Sequence, residues 1–150
     1  PVARADALGA GGPLRGSSMV ARRSAPDPLD RMGNLPEFPP DAEAQVRFLR
    51  TDEGGRTSPV RSGYRPQFYY LGANWDAVQA YPDVEEVLPG DEVRTLLWFL
   101  SPGEHVGKVR AGLEFEVREG ARVMGRGTIT RVLELEEHAI RMAAHGRHAV

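Results

Sequence analysis

The stretch that decides the fold begins with Asp52-Glu53-Gly54-Gly55-Arg56 and continues, after Pro59, with Gly63-Tyr64-Arg65-Pro66-Gln67-Phe68-Tyr69. Its paired glycines favour a tight loop, because glycine adopts positive φ angles at no steric cost. The aromatic run over residues 67–71 lies between a proline and a glycine and is typical of a β-strand. The stretch therefore predicts turn-rich β structure, with an arginine loop beside an aromatic strand.

Four further segments show strand patterns. Residues 44–50 and 113–118 alternate apolar and polar side chains, as a strand with one buried face requires. Residues 92–100 are apolar on both faces and follow Leu88-Pro89-Gly90-Asp91, whose Pro-Gly order predicts a type II turn. Residues 123–132 contain Gly125 and Gly127, which favour a barrel corner. Five or six strands with short turns predict a closed antiparallel barrel, because closure leaves no exposed strand edge.

These patterns divide the chain into three parts. Residues 1–42 are rich in proline and glycine and predict a flexible arm, because this composition buries too little apolar surface to offset the entropy of ordering. Residues 43–134 form the predicted barrel. Residues 135–150 hold a predicted short helix and a frayed tail. The helical composition extends over about 133–143, where Glu137 and Arg141 lie at positions i and i+4.

The composition excludes several classes of protein. The chain of 150 residues has no cysteine, which rules out disulfides, thiol nucleophiles and thiolate metal sites. Its formal net charge of −2 argues against indiscriminate coating of nucleic acid. No apolar run approaches the roughly 20 residues of a membrane helix, and the N-terminus lacks the apolar core of a secretion signal. We therefore expect a cytoplasmic protein without a membrane partner.

No motif predicts catalysis, a cofactor or a metal site. The segment Gly103–Lys108 lacks both the glycine spacing and the following Ser or Thr of a phosphate-binding loop. His145 and His148 are spaced as helical metal ligands can be, but a glycine lies between them. No serine or aspartate is placed with His105 or His138 in a hydrolytic pattern. We predict a non-enzymatic protein that uses no cofactor.

Six collinear motifs resemble the third, C-terminal domain of elongation factor Tu over about residues 44–134. Besides the opening stretch, they are Pro89-Gly90-Asp91, Gly112-Leu113-Glu114-Phe115, Val117-Arg118-Glu119-Gly120-Ala121-Arg122, and Gly125 with Gly127. The resemblance implies an all-β, six-stranded Greek-key barrel, in agreement with the strand patterns. In that family the domain grips the T-stem backbone of aminoacyl-tRNA and docks against a GTPase domain, and this chain contains no GTPase motif.

The resemblance implies RNA contacts at four positions, Arg56, Gln67, Glu119 and Gly120. Arginine pairs with phosphate, while glutamine, glutamate and a backbone amide can bond to ribose hydroxyls in the shallow RNA minor groove. A structural explanation stands beside this one for Gly120, because a tight turn needs glycine whatever the barrel binds.

Four residues depart from the family pattern and make the surface less positive. Thr57 replaces a histidine, Leu71 an arginine, Asp76 a threonine and Ser101 a lysine. Residues 43–134 contain 12 basic and 14 acidic residues, so the predicted barrel has no net attraction for RNA. Because RNA affinity depends steeply on the number of neutralised phosphates, these changes predict weaker binding.

Two functions stay open on the sequence alone. The first is a translation-associated module that binds tRNA or a ribosome-associated factor, alone or with a separately encoded GTPase. The second is a protein-protein interaction barrel that keeps the fold and has lost RNA binding. The retained Arg56, Gln67 and Glu119 favour the first, and the lost cations favour the second. The sequence indicates no oligomeric state.

Overall fold

The computed structural model describes residues 35–148, with side chains up to residue 145. Within that range it contains six β-strands and one α-helix. The strands are β1 (Ala42–Phe48), β2 (Gln67–Tyr70), β3 (Ala73–Ala80), β4 (Glu92–Phe99), β5 (Glu114–Glu119) and β6 (Arg122–Val132), and the helix α1 is Leu135–His148. Two 3-10 turns, Thr51–Glu53 and Pro102–Glu104, lie in the connecting loops.

The six strands close into an antiparallel barrel in the order β1-β4-β3-β2-β5-β6, with β6 pairing back to β1. Strands β2, β3 and β4 are consecutive neighbours, and β1 lies on the far side of β4, which is a Greek-key arrangement. The predicted six-stranded Greek-key barrel is confirmed. The five strands predicted from their patterns are present, with ends that differ by at most two residues.

Strand β3 carries no pattern that identifies it in the sequence. Asn74 and Asp76 in its first half are exposed, and burial begins only at Ala77. Gln79 is buried in the second half, where its side-chain oxygen accepts a hydrogen bond from the Tyr81 hydroxyl at 2.7 Å. A polar side chain on the core face hides the alternation on which strand prediction depends.

Two glycines let β6 approach its neighbours closely. A Cβ atom on Gly127 would lie 2.5 Å from the Phe115 ring, and one on Gly125 would lie 2.8 Å from the carbonyl oxygen of Arg47. Both positions therefore require glycine for space, as a barrel corner predicts.

The pairing of β5 with β6 contains a β-bulge that the alternation of apolar and polar residues did not predict. The register shifts between Val117 and Arg118, so that β6 holds one extra residue at this point. As a result Met124 is buried, with 1% of its surface exposed, while Val123 is only half-buried. Such bulges re-aim side chains without breaking the sheet.

The two ends of the barrel are covered by different segments. The loop end is formed by residues 49–66, residues 81–91 and the turn between β5 and β6. The helix end is formed by residues 35–41, residues 100–113 and α1. The predicted type II turn lies at the loop end and is confirmed, since Gly90 has a φ of 94° and the Asp91 N–H bonds to the Leu88 carbonyl at 3.0 Å.

A buried contact anchors α1 to the start of the barrel. One carboxylate oxygen of Asp41 accepts the Phe99 backbone N–H at 2.7 Å, and the other lies 2.8 Å from His138 Nδ1. Burial raises the pKa of the Asp41 carboxyl, although the Phe99 N–H and His138 oppose the rise. Phe38 packs on the His138 ring with 4.3 Å between ring centroids. The segment before β1 and the helix after β6 therefore hold each other in place.

The predicted arm over residues 1–42 lies mostly outside the described residues. Its last residues contact the barrel, because Asp41 is buried, Trp98 Nε1 donates to the Phe38 carbonyl at 2.8 Å, and Ala42 already belongs to β1. The packed part of the chain therefore begins before the predicted boundary at residue 43. At the other end, the predicted helix is confirmed and continues to His148, past residue 143.

Candidate RNA-binding surface

The predicted RNA contacts come from three separate segments of the chain. Arg56 lies in the 49–66 loop, Gln67 begins β2, and Glu119 ends β5 just before Gly120. The fold brings these segments together at the loop end of the barrel. Arg56 Nη1 donates a hydrogen bond to Glu119 Oε2, and Gln67 pairs in register with Arg118, the neighbour of Glu119. The four predicted residues therefore lie in one region of the surface, which we call the loop-end surface.

The loop that carries Arg56 is fixed by its own backbone. Gly54 has a φ of 95°, and its N–H bonds to the carbonyl of Thr51 at 3.1 Å. A Cβ atom on Gly55 would collide with the backbone of Leu49. The Thr51 hydroxyl donates to the Arg56 carbonyl at 2.6 Å. The two glycines are thus needed for the turn that sets the position of the arginine.

Arg56, Glu119 and Tyr64 form a small polar cluster. The Tyr64 hydroxyl donates to Glu119 Oε2 at 2.6 Å, the same oxygen that accepts from Arg56. Partial burial acts to raise the pKa of Glu119, but the Tyr64 hydrogen bond and the Arg56 charge outweigh it, and the net shift is downward. Burial, followed by the hydrogen bond to Glu119, raises the pKa of Tyr64. Glu119 is therefore ionised at neutral pH and binds two groups of its own chain.

Gln67 also has a partner within the chain. Its Nε2 donates to Asp76 Oδ1 at 2.6 Å, across the pairing of β2 with β3. Gln67 is half-buried and Asp76 is exposed. The departure from the family pattern at position 76 therefore adds a carboxylate directly beside a predicted RNA contact.

Sequence reasoning missed three residues that belong to this surface. The Arg118 guanidinium carbon lies 3.5 Å from the centroid of the Tyr69 ring, and Arg118 Nη2 lies 2.6 Å from Glu116 Oε1. Arg65 is exposed and has no hydrogen-bond or ion-pair partner within residues 35–148. Because Arg65, Gln67 and Tyr69 alternate along the chain, their two-residue spacing could have indicated a shared outward face.

The family comparison agrees with this architecture. A family model described as the elongation factor Tu C-terminal domain matches residues 40–133. The chain belongs to this family. The matched residues include every strand of the barrel, whereas α1 lies beyond them.

The departures from the elongation factor Tu pattern do not all fall on the loop-end surface. Thr57 lies in the same loop as the predicted arginine, and Asp76 bonds to Gln67. Leu71 lies at the helix end, in the turn between β2 and β3, with 77% of its surface exposed. Ser101 lies at the helix end too, before the second 3-10 turn. The loss of positive charge near the predicted contacts is therefore smaller than the four departures together suggest.

Two histidines of the described region are buried, one at the helix end of the barrel and one in α1. His105 is fully buried beside Trp75 and Phe99, and the Tyr70 hydroxyl lies 2.6 Å from its Nδ1. Burial, with a smaller effect of the Lys108 charge, lowers the pKa of His105 to about 4, so this residue is a neutral core side chain. The second, His138, anchors α1. In the described region no group of three acidic or histidine side chains is placed to hold a metal ion.

The helix of the described region is too short and too polar to cross a membrane.

Proposed function

We propose that this barrel is a non-catalytic translation module that binds RNA through its loop-end surface, with the T stem of tRNA as the target that the family indicates. One observation carries the proposal. Arg56, Gln67 and Glu119, which are distant in sequence, lie in one region next to Arg65, which is exposed and has no partner among residues 35–148. Because the Arg65 side chain makes no such contact within that range, it does not stabilise the barrel through an ion pair and is free to bind a phosphate.

The chemistry of the loop-end surface suits an RNA backbone. Arginine forms strong charge-assisted bonds to phosphate, and amide and carboxylate groups bond to the ribose hydroxyls of the wide, shallow RNA minor groove. Gly120 is exposed with a φ of 63°, and nothing lies within 4 Å of where its Cβ would be. A sugar-phosphate chain can therefore reach the backbone of this turn.

We expect the binding to be weak and dependent on salt. Arg56 and Arg118 each pair with a carboxylate of this chain, Glu119 and Glu116, so a phosphate must compete with that carboxylate. Both pairs are partly exposed, and ion pairs in contact with solvent contribute only about 0.2–1 kcal/mol each, so the competition costs little. Two or three neutralised phosphates predict a slope of about −2 to −3 in a plot of log affinity against log salt concentration.

A titration of labelled tRNA with the purified chain, followed by fluorescence anisotropy at two salt concentrations, tests this proposal. We expect salt-sensitive binding that Arg56→Ala, Arg65→Ala and Gln67→Ala each weaken. Arg110→Ala is the matched control, because it removes an exposed arginine from the helix end. Absence of binding at low salt would refute the proposal, and so would an equal loss in the control.

The carboxylate beside Gln67 offers a second test of RNA binding. A unit charge about 7 Å from a phosphate contributes roughly 0.6 kcal/mol in water, so Asp76→Asn should raise RNA affinity about threefold at low salt. The gain should disappear at high salt, where the Debye length is shorter than this distance. If Asp76→Asn leaves the RNA affinity at low salt unchanged, RNA does not bind beside the pair of Gln67 and Asp76 on β2 and β3.

A second function is favoured by the acidic side chains of the same surface. Asp76, Glu116 and Glu119 each engage a donor of this chain, which suits a protein partner better than a polyanion. The partner proposed here is a separately encoded GTPase of translation. Calorimetric titration of the chain with a purified translational GTPase in its GTP-bound state tests it. Binding there together with no tRNA binding at low salt would favour this function over the first.

A further inference from the structure

Exposed apolar side chains of the described region are concentrated at the helix end of the barrel. Six large ones lie there, on the β2–β3 turn, the 100–113 loop, the end of β6 and α1: Leu71, Leu100, Val106, Val132, Ile140 and Met142. The loop end has one, Leu88, and is otherwise rich in ion pairs. Apolar surface gathered at one end of a small protein is typical of an interaction site.

Helix α1 presents part of this apolar surface in a fixed position. Leu135 and His138 are buried against the barrel, with 2% and 4% of their surfaces exposed. The buried Asp41 holds His138, and Phe38 packs on the His138 ring. Because the inner face is anchored in this way, the outer face is already ordered before any partner arrives, which lowers the entropic cost of binding.

The outer face of α1 carries a large apolar side chain at its centre and a small side chain about one turn later. Ile140 is 63% exposed, and Ala143, on the same side three residues later, is also exposed. Residues three and four apart share a face of a helix, so Glu136 lies on this side as well. An exposed isoleucine next to an alanine leaves room for a second helix to approach closely.

The charges of α1 are complementary to those of the same helix running in the opposite direction. Glu136 and Glu137 lie in the first turn of α1, and Arg141 follows about one turn later. Arg141 stays exposed although its guanidinium carbon lies 5.2 Å from the Phe38 ring centroid. In an antiparallel pair, the acidic turn of each helix meets the arginine of the other.

We propose that α1 is a self-association surface, through which two copies of this chain form a two-fold symmetric dimer with antiparallel helices crossing near Ile140. A two-fold axis at this level brings Ile140 of both copies together and pairs each Glu137 with Arg141 of the second copy, as an isologous interface requires. This dimer does not depend on RNA binding, because the loop-end surface lies at the opposite end of the barrel.

The size of the helix limits the strength of the dimer. Its 14 residues make α1 about 21 Å long, and a pair of such helices buries less than the roughly 1,200 Å² of a standard stable interface. We therefore expect a weak dimer, with a monomer–dimer equilibrium that depends on protein concentration.

Sedimentation velocity of the purified chain over a concentration series tests the proposal. Ile140→Glu should weaken dimerisation at least about tenfold, because it places a charge against its own copy at the centre of the interface. Leu88→Glu is the matched control, since it changes a comparably exposed apolar residue at the loop end. A monomer at every concentration overturns the proposal, and so does a dimer that both substitutions weaken equally.

A pair of charge variants tests the antiparallel arrangement. Glu137→Arg and Arg141→Glu should each remain monomeric alone, because each makes the two facing helices repel. Mixed in equal amounts they should form a heterodimer, since every facing pair is then again of opposite charge. Circular dichroism of each variant checks that α1 is still formed. Dimers of either variant alone that are as stable as the wild-type dimer, or a mixture that stays monomeric, would show that this arrangement is wrong.

Discussion

Replacing Glu119 with alanine should destabilise the barrel by removing the acceptor that ties the 49–66 loop to the end of β5. Two interactions are lost, one with Arg56 and one with the Tyr64 hydroxyl at 2.6 Å. The partly exposed ion pair of Arg56 with Glu119 contributes about 0.5 kcal/mol. A hydrogen bond from a hydroxyl to a charged acceptor contributes about 1.5–3 kcal/mol, and the partial exposure of this one favours the lower end. We expect the free energy of unfolding to fall by about 2 kcal/mol in total.

The effect of this substitution should depend on pH. The pKa of Glu119 in the folded protein lies below its ordinary value of 4.5. A carboxyl with a lowered folded-state pKa contributes stability above its unfolded pKa, and that contribution is lost as pH falls through the folded value. The difference between wild type and Glu119→Ala should therefore be constant near neutral pH and shrink below the ordinary pKa.

Urea unfolding of a double-mutant cycle measures this prediction. Tyr64→Phe alone should cost about 1.5 kcal/mol, and the double variant should cost less than the sum of the single ones, because both remove the same hydrogen bond. The reasoning fails if Glu119→Ala changes the free energy of unfolding by less than about 0.3 kcal/mol, or if the two changes are strictly additive.

Two further substitutions test the barrel corner and the helix anchor. Gly127→Ala places a Cβ atom 2.5 Å from the Phe115 ring and should cost about 1–3 kcal/mol by overpacking, whereas Gly103→Ala, which meets nothing within 4 Å, should be nearly neutral in urea unfolding. His138→Ala leaves the carboxylate of Asp41 buried without one of its two donors and should cost about 3 kcal/mol. Retention of wild-type stability after His138→Ala would show that the contact between Asp41 and His138 does not anchor α1.

The strands with one buried face were the part of the fold that the sequence predicted best. Phe115 and Val117 are buried on one side of β5 while Glu114 is exposed on the other, and this alternation is visible without a structure. Strand β3 was missed because Gln79 occupies a core position and bonds to Tyr81 from there. The alternation of apolar and polar residues reports hydrophobicity alone. It does not identify a polar side chain that is buried with its hydrogen bond satisfied.

The candidate site was predicted as a set of residues but not as an arrangement. Family resemblance indicated Arg56 and Glu119 separately, whereas only the folded chain shows that they bind each other. The pairing joins residues 63 positions apart, so no local pattern contains it. For the same reason no sequence pattern predicted the contact of His138 with Asp41, which precedes the barrel. Contacts between polar groups that are far apart in sequence depend on the order of the strands, so they can be predicted only after the fold is known.

The most direct test of the central claim is an amide NMR titration of the isotope-labelled chain with tRNA. If RNA binds at the loop-end surface, the backbone signals of Arg56, Gln67 and Gly120 should shift first and furthest. Signals from α1 and the 100–113 loop should stay unchanged, and added salt should reverse the shifts. Shifts confined to the helix end, or no shifts at low salt, would contradict the account.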